Sequence, residues 1–429
     1  MLLKDISLLN ADFELEEHRY VEIAGAVISN IGNEPPCEYS GEVIDGRNKL
    51  LLPAFYNAHA HTPMTLLRGY GENMNLQDWL FKKIFPFEAH LNAEAIYSAT
   101  LLGLGEMFRS GTVATTDMYM FGDSIARAFL DAGAKVNLSI GTTCFDNGSF
   151  YDMKDYSINE GLFQNYHGMG EGRIQIDMSI HAEYTSHPGV VKEVAEYAKE
   201  KNCRMQVHVS ETKSERNECI ERHGKTPVSY FAQLGLFDVP TTAAHCVWVS
   251  DEDMEILKEK GVTVAHCPVS NLKLASGVAP IADMVAKGVK VALGTDGASS
   301  NNSLSMVDEM RIMALIHKGV ALDPLVISPV QALYMATRSG ALSQGREDCG
   351  LIKKGMKADF ILLDLDNPRY SPREHLLNHV VYAAEGGDVY MTVCDGKVVY
   401  KDGEYATLDM EKVLWETEKH YKDIKNQVK

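Results

Sequence analysis

Several absences narrow the possibilities before any motif is considered. Eight cysteines are present, but none stand in a C-x-x-C pair, which speaks against a zinc knuckle. Several lie inside apolar runs such as "AAHCVWV" and "VAHCPVS", so buried reduced thiols are expected rather than disulfides. No run of about 18 apolar residues occurs, so no membrane-spanning helix is expected. Basic residues are outnumbered, 41 Lys and Arg against 59 Asp and Glu, and form no cluster. A net charge of −18 argues against a nucleic acid partner, because phosphate binding needs a local excess of cations. No internal repeat or low-complexity tract is visible. The opening segment "MLLKDISLLNADFELEE" has charges breaking its apolar residues, so it reads as no signal peptide, and a cytoplasmic location is the expectation.

What is present has the texture of a globular chain large enough for one big domain and a smaller module: 429 residues, 45% hydrophobic. The first fifty or so residues alternate short apolar runs with polar turns, the period of a β module. From Leu51 onward, apolar runs alternate with amphipathic helical segments. The strand-like runs are Leu51–His59, Thr112–Asp117, Lys135–Ile140, Ile174–His181, Cys203–Val209, Thr241–Cys246, Val262–Cys267 and Lys290–Thr295. Helical candidates between them include "NAEAIYSATLLGLGEMFRSG", "HPGVVKEVAEYAKEKN" and "SDEDMEILKEKG". Eight such alternations predict an α/β chain folded as a (β/α)8 TIM-like barrel over residues 54–345. A doubly wound sheet would want a Gly-rich phosphate loop after an early strand, and none follows these strands. β texture returns after about Gly345. Residues 1–53 and 346–429 are therefore expected to form a small composite β-sandwich domain, with a charged helical tail from Asp409.

The stretch "FYNAHAHTPMTLLRG" sets His59 and His61 two apart at the end of the first predicted barrel strand. Residues i and i+2 of a strand share a face, so both imidazoles project from the end where barrel enzymes keep their chemistry. H-x-H alone is a weak signal. The other strand ends strengthen it: His181 on the fourth, His208 on the fifth, His245 on the sixth, His266 on the seventh and Asp296 on the eighth. A row of buried polar groups at one end is costly without partners, so a metal site is the better reading. Neutral histidines with a carboxylate and an open position suit Zn²⁺, with Fe²⁺ as the alternative. A second metal is not expected, because the fourth strand and its loop, Ile174 to His187, contain no lysine to serve as a bridge.

Glu211 follows His208 in "VHVSET" and is a candidate proton carrier. On spacing alone it reads equally well as a first-turn helix glutamate, with Ser210 or Thr212 as the cap. His245 is either a fourth ligand or a donor that steers water. Asp296 combines ligation with a share of the water proton. His266 is read as structural, and Ser270 and Asn271 in the following loop as groups that hold backbone.

These segments resemble the amidohydrolase superfamily, and within it the chlorohydrolase and adenosine-type deaminase branch that includes S-adenosylhomocysteine and methylthioadenosine deaminases. The resemblance rests on "PAFYNAHAHTPMTLLRG", "DWLFKKIFPFE", "VHVSET", "AHCVWV", "HCPVSNLKLASGVAPI", "LGTDGASSNNSLSM" and "GMKADFILLDLD", in order along nearly the whole chain. It implies that His59, His61, His208 and Asp296 hold one divalent metal. It implies Glu211 as proton shuttle, His245 as activator of water, Glu88 as holder of ribose hydroxyls and His181 as a nucleoside contact. The same branch uses arginines between the third and fourth strands to hold the carboxylate of homocysteine. Here no arginine occurs between Arg127 and Arg173, and Ile140 stands where one is expected. Lysine does not reproduce that bidentate fork. The expected substrate is thus adenosine, 5′-deoxyadenosine or 5′-methylthioadenosine rather than S-adenosylhomocysteine. Guanine, pterin, cytosine-like and triazine rings are the alternative substrates of the same chemistry, and a non-catalytic binding scaffold is the remote one. By analogy with the family the expected assembly is a homo-oligomer, a dimer or tetramer.

Overall fold

The computed structural model describes residues 1–74 and 76–428. The chain packs as two compact units. One comprises Met1–Asn57, Gly105–Ala114 and Ser305–Leu408; the other comprises Ala58–Leu104, Thr115–Leu304 and Asp409–Lys429. These limits differ from 1–53 plus 346–429 chiefly at Ser305 to Gly345 and at the terminal helix Met410–Lys425.

In the first unit both ends of the chain meet in one nine-stranded sheet. Strand Phe360–Asp364 runs antiparallel to Lys49–Pro53, with Leu362 opposite Leu51. Lys49–Pro53 in turn pairs with Leu2–Leu9. Alternation along these strands sends Leu3, Leu51, Phe360, Leu362 and Met391 into one fully buried cluster. Burying such side chains is worth roughly 1.5–3 kcal/mol each, enough to fix the register of a sheet with one apolar face.

The second unit holds most of two further sheets, ordered by hydrogen bonding. Phe55–Ala60, Thr112–Met118, Lys135–Ser139 and Ile174–Ile176 form one; Met178–Ile180, Met205–Val209, Thr241–His245, Thr263–His266 and Lys290–Leu293 form the other. The pairings within the five-stranded sheet are all parallel. Helices fall between strands where the amphipathic pattern predicts them: Ala93–Arg109, Pro188–Glu200 and Asp251–Glu259. Ser250 caps the last of these by accepting from the amide of Asp253, the usual way to satisfy an orphan helix-start donor.

Three predicted strands differ from what forms. The run Leu51–His59 is two strands in two sheets. The Ala54 amide still donates to Asp359 O at 3.1 Å, while the Phe55 amide donates to Gly111 O at 2.9 Å. Pro53, lacking an N–H, sits just before this change of partner. The run Ile174–His181 is interrupted at Asp177, whose carboxylate accepts from Asn137 Nδ2 at 2.8 Å and from the Arg204 amide at 3.3 Å. The chain there leaves the strand Lys135–Ser139 and joins Met205–Val209. The last strand ends at Leu293, so Asp296 lies three residues beyond it. Seven of the eight cysteines are buried and Cys37 is exposed, with no disulfide among the described residues.

Candidate active site

The strand ends bring His61, His208, His245, Glu211 and Asp296 together at the floor of one pocket, with His59 grouped against them. His59 is on the strand Phe55–Ala60, His61 just past it, His208 on Met205–Val209, and His245 closes Thr241–His245. Nitrogens of His59, His208 and His245 lie within 4.8 Å of one another, and those of His59 and His61 lie within the same distance of an Asp296 oxygen. Two of the residues hold their position by left-handed backbone, His245 at φ 70° and Asp296 at φ 60°. Such conformations in non-glycine residues cluster where the surrounding structure enforces them for function.

Hydrogen bonding fixes which nitrogen each ring turns inward. His61 Nδ1 donates to Met118 O at 2.5 Å, and His208 Nδ1 donates to His181 O at 2.6 Å. Carbonyls only accept, so both Nδ1 atoms carry the proton and both neutral rings point an Nε2 lone pair at the centre. Those two Nε2 atoms stand 3.2 Å apart. His245 Nδ1 lies 2.9 Å from Asn271 Oδ1, which turns a third Nε2 the same way. Asp296 Oδ1 is 3.3 Å from His61 Nε2 and 3.6 Å from His59 Nε2. Its other oxygen accepts from Ser270 Oγ at 2.6 Å and Ser300 Oγ at 2.8 Å. Converging lone pairs and a carboxylate call for positive charge at one point, and a divalent cation with nitrogen and oxygen ligands fits that demand.

The electrostatics agree. Burial pushes His59 down to about 4, and burial with the neighbouring rings holds His208 well below its usual value. Burial also disfavours charge on His61, but its bond to Asp296 outweighs this and raises it to about 9. Burial works against the Asp296 carboxylate as well, yet His59 and His61 hold it well below the ordinary range. Burial raises the Glu211 carboxyl above its usual range, with His245 opposing and Asp296 adding.

Above this floor the pocket encloses about 390 Å³. Its walls include Met64, Trp79, Leu80, Ile84, Ile140 and Leu274. His181 and Glu88 both line it. Glu88 ends the short helix Phe85–Glu88, and Tyr119 OH donates to its Oε1 at 2.5 Å. Among the described lining residues there is no lysine or arginine, and Ile140 occupies the wall where an arginine was expected. His266 is buried and is not among the lining residues.

Glu211 is not a helix residue. Thr212 caps the helix Lys213–His223, with Glu215 as the acidic partner of its capping box, so Glu211 precedes the cap. Its Oε2 lies 3.9 Å from His245 Nε2, and its Oε1 accepts from Ser276 Oγ at 3.3 Å. Ser270 and Asn271 do not serve backbone, as the sequence suggested; their side chains bond Asp296 and His245. Tyr119, Ser276 and Ser300 were missed altogether. For Tyr119 and Ser300 the only sequence signal is position, one residue beyond a strand end and four beyond Asp296, and Ser276 has no such signal.

Residues 50–399 match the amidohydrolase family. A 5-methylthioadenosine/S-adenosylhomocysteine deaminase of Dictyoglomus thermophilum is 43% identical over 421 residues, 98% of this chain and 97% of that protein. One of Thermoanaerobacter pseudethanolicus is 41% identical, covering 99% of each. Among solved structures, an adenosine deaminase from Xanthomonas campestris with bound zinc superposes with a TM-score of 0.92 at 28% identity, covering 99% of this chain and 98% of that one. A zinc complex of an atrazine chlorohydrolase from Arthrobacter aurescens reaches 0.90 at 21% identity over 98% and 99% of the two chains, a likeness of fold alone. The chain belongs to the amidohydrolase family and is a hydrolase acting on carbon–nitrogen bonds.

Proposed function

We propose that the protein is a metal-dependent deaminase that removes the C6 amino group of an adenosine-type nucleoside. The product is the inosine-type nucleoside, with ammonia released. The observation that carries this reading is the convergence of four imidazoles, Glu211 and Asp296 beneath an apolar pocket of nucleoside size. The deaminase names of the curated relatives support it.

In this reading His59, His61, His208 and Asp296 hold one divalent metal, zinc foremost and iron as the alternative. Such an ion supplies positive charge that lets water lose a proton near neutral pH. Glu211 gives a proton to N1 of the purine as water attacks C6, and it recovers one from that water. Burial raises its carboxyl above the ordinary range, which favours the protonated form that donates. His245, its Nδ1–H held by Asn271, keeps Nε2 free to orient the attacking water. Asp296 takes up the second proton of that water and passes it to the departing amino group, which leaves as ammonia, while Ser270 and Ser300 fix its second oxygen. Glu88, set by Tyr119, accepts from the ribose hydroxyls, and His181 contacts the nucleoside.

The absence of lysine and arginine among the described lining residues supports adenosine, 5′-deoxyadenosine or 5′-methylthioadenosine over S-adenosylhomocysteine. A carboxylate tail without a bidentate partner forfeits a charge-assisted bond. The test is kcat/KM for 5′-methylthioadenosine and S-adenosylhomocysteine on the same zinc-loaded sample. A ratio of about 10 or more in favour of the neutral substrate is expected, the size of one lost charged hydrogen bond. Parity between the two would remove the refinement and leave the chemistry standing.

The scaffold in this reading is a closed (β/α)8 barrel over residues 54–345, with residues 1–53 and 346–429 forming the composite β domain. Two observations support closure. Asp296 N donates to His59 O at 3.0 Å, and only Asp177 separates the strand pieces Ile174–Ile176 and Met178–Ile180. A cytoplasmic homo-oligomer, dimer or tetramer, completes the proposal. Leu322 and Leu325, 91% and 83% exposed, supply apolar surface for such contacts.

A further inference from the structure

We infer that Glu215 is a positioning residue for Glu211, acting through the backbone between them; the inference rests on the reading of Glu211 as proton carrier. The chain leaves the strand Met205–Val209 through Ser210, which sits at φ 50°. A left-handed residue at that point turns two consecutive amides toward one place. The Ser210 amide donates to Glu215 Oε1 at 2.8 Å, and the Glu211 amide donates to Oε2 at 2.7 Å. Glu215 is buried, 4% exposed.

The distances separate this role from ordinary helix capping. A capping box ties the side chain at the third helical position to the amide of the cap residue. Here that bond, from the Thr212 amide to Glu215 Oε2, is the long one at 3.5 Å. The two short bonds go to residues before the cap. A box also works with glutamine, which has one acceptor oxygen and no charge to bury. Here each of the two amides has its own oxygen of the Glu215 carboxyl group, and a glutamine would present an NH2 group in place of one of them. Burial, with Glu211 beside it, pushes the Glu215 carboxyl up to about 8, a cost that a plain cap has no reason to carry.

The surroundings make Glu215 a fixed reference. Its own amide donates to Thr212 Oγ1 at 3.1 Å. At the far end of the helix Lys213–His223, Arg222 and His223 both bond the buried Glu183, at 2.6 and 2.8 Å. The other face of the Ser210 peptide is held as well, its carbonyl accepting from the Trp248 amide at 2.9 Å. By contrast the Glu211 carboxylate receives one serine hydroxyl at 3.3 Å. Its aim is therefore set largely by the backbone beneath it, and a misplacement of about 1 Å can cost on the order of 100-fold in rate.

The test compares four variants of the full-length, zinc-loaded enzyme: Glu215→Gln, Glu215→Asp, Thr212→Val and Glu211→Gln. Glu215→Gln keeps the cap but turns one amide toward an NH2 group. It is expected to lower kcat about 10- to 100-fold with KM within about 3-fold and metal content unchanged. Thr212→Val removes the cap hydroxyl and leaves the two short bonds, so Tm should fall while kcat stays within about 3-fold. Glu215→Asp keeps two oxygens on a shorter stem and should give an intermediate kcat; if Glu215→Gln fails to fold, this variant decides. Unchanged kcat in Glu215→Gln, or in Glu215→Asp where Gln does not fold, would make Glu215 a helix cap and overturn the inference. Glu211→Gln keeps the two failures apart: full activity there refutes the proton-carrier reading, whereas an inactive Glu211→Gln beside an active Glu215→Gln refutes this inference alone.

Discussion

At the scale of single residues, the chemistry follows from where protons are forced to sit. Met118 O and His181 O each claim an Nδ1 proton, so the rings of His61 and His208 face each other with lone pairs 3.2 Å apart. That arrangement is unfavourable until a cation enters. Asp296→Ala and His59→Ala are therefore expected to lose bound zinc together with turnover, measured as metal per chain after dialysis. Glu211→Gln is expected to keep its zinc and lose about 10²- to 10⁴-fold in kcat, the usual worth of a placed proton donor. Asn271→Ala should lower kcat about 10- to 100-fold, because the Nδ1–H of His245 loses the acceptor that sets its tautomer. The histidines and Asp296 were legible because strand periodicity and strand ends are local properties. Asn271, Ser270 and Tyr119 were not, because their partners lie 26 to 31 residues away and nothing local names them.

Elements were legible where they obey one period from end to end. The helices Pro188–Glu200 and Asp251–Glu259 fall inside the predicted segments, and Ser250, the first residue of the second segment, caps its helix. Ser250→Ala is expected to cost about 1 kcal/mol in denaturant unfolding. Strands that change partners midway were not legible. Apolar texture runs from Leu51 to Tyr56 with no turn residue but Pro53 to mark a change, yet the Ala54 amide bonds to Asp359 and the Phe55 amide to Gly111. Asp177 splits another strand through a carboxylate whose partners, Asn137 and Arg204, are distant in sequence. The helix Met306–Ala321 offers a pH test away from the site. Burial lowers its His317 to about 4. A histidine depressed in the folded state contributes stability above its unfolded value, near 6.5, and loses it as pH falls toward 4. That loss is on the order of 3 kcal/mol at full extent. His317→Leu should flatten the decline of unfolding free energy between about pH 6.5 and pH 4; an unchanged slope would show that other groups set it.

At the scale of the whole molecule, the fold serves to bring side chains from the ends of four strands to one floor. No helix among the described residues is long and apolar enough to cross a membrane. Association is accessible by light scattering: a dimer or tetramer is expected, and a monomer at all concentrations would remove that part of the proposal. The most direct test of the central claim is the reaction itself. Purified zinc-loaded protein would be offered 5′-methylthioadenosine, with ammonia and nucleoside product quantified together. The account expects ammonia and the inosine-type product in equal amounts, with activity abolished by Glu211→Gln. Zinc bound stoichiometrically with no ammonia from this or any other adenosine would contradict it.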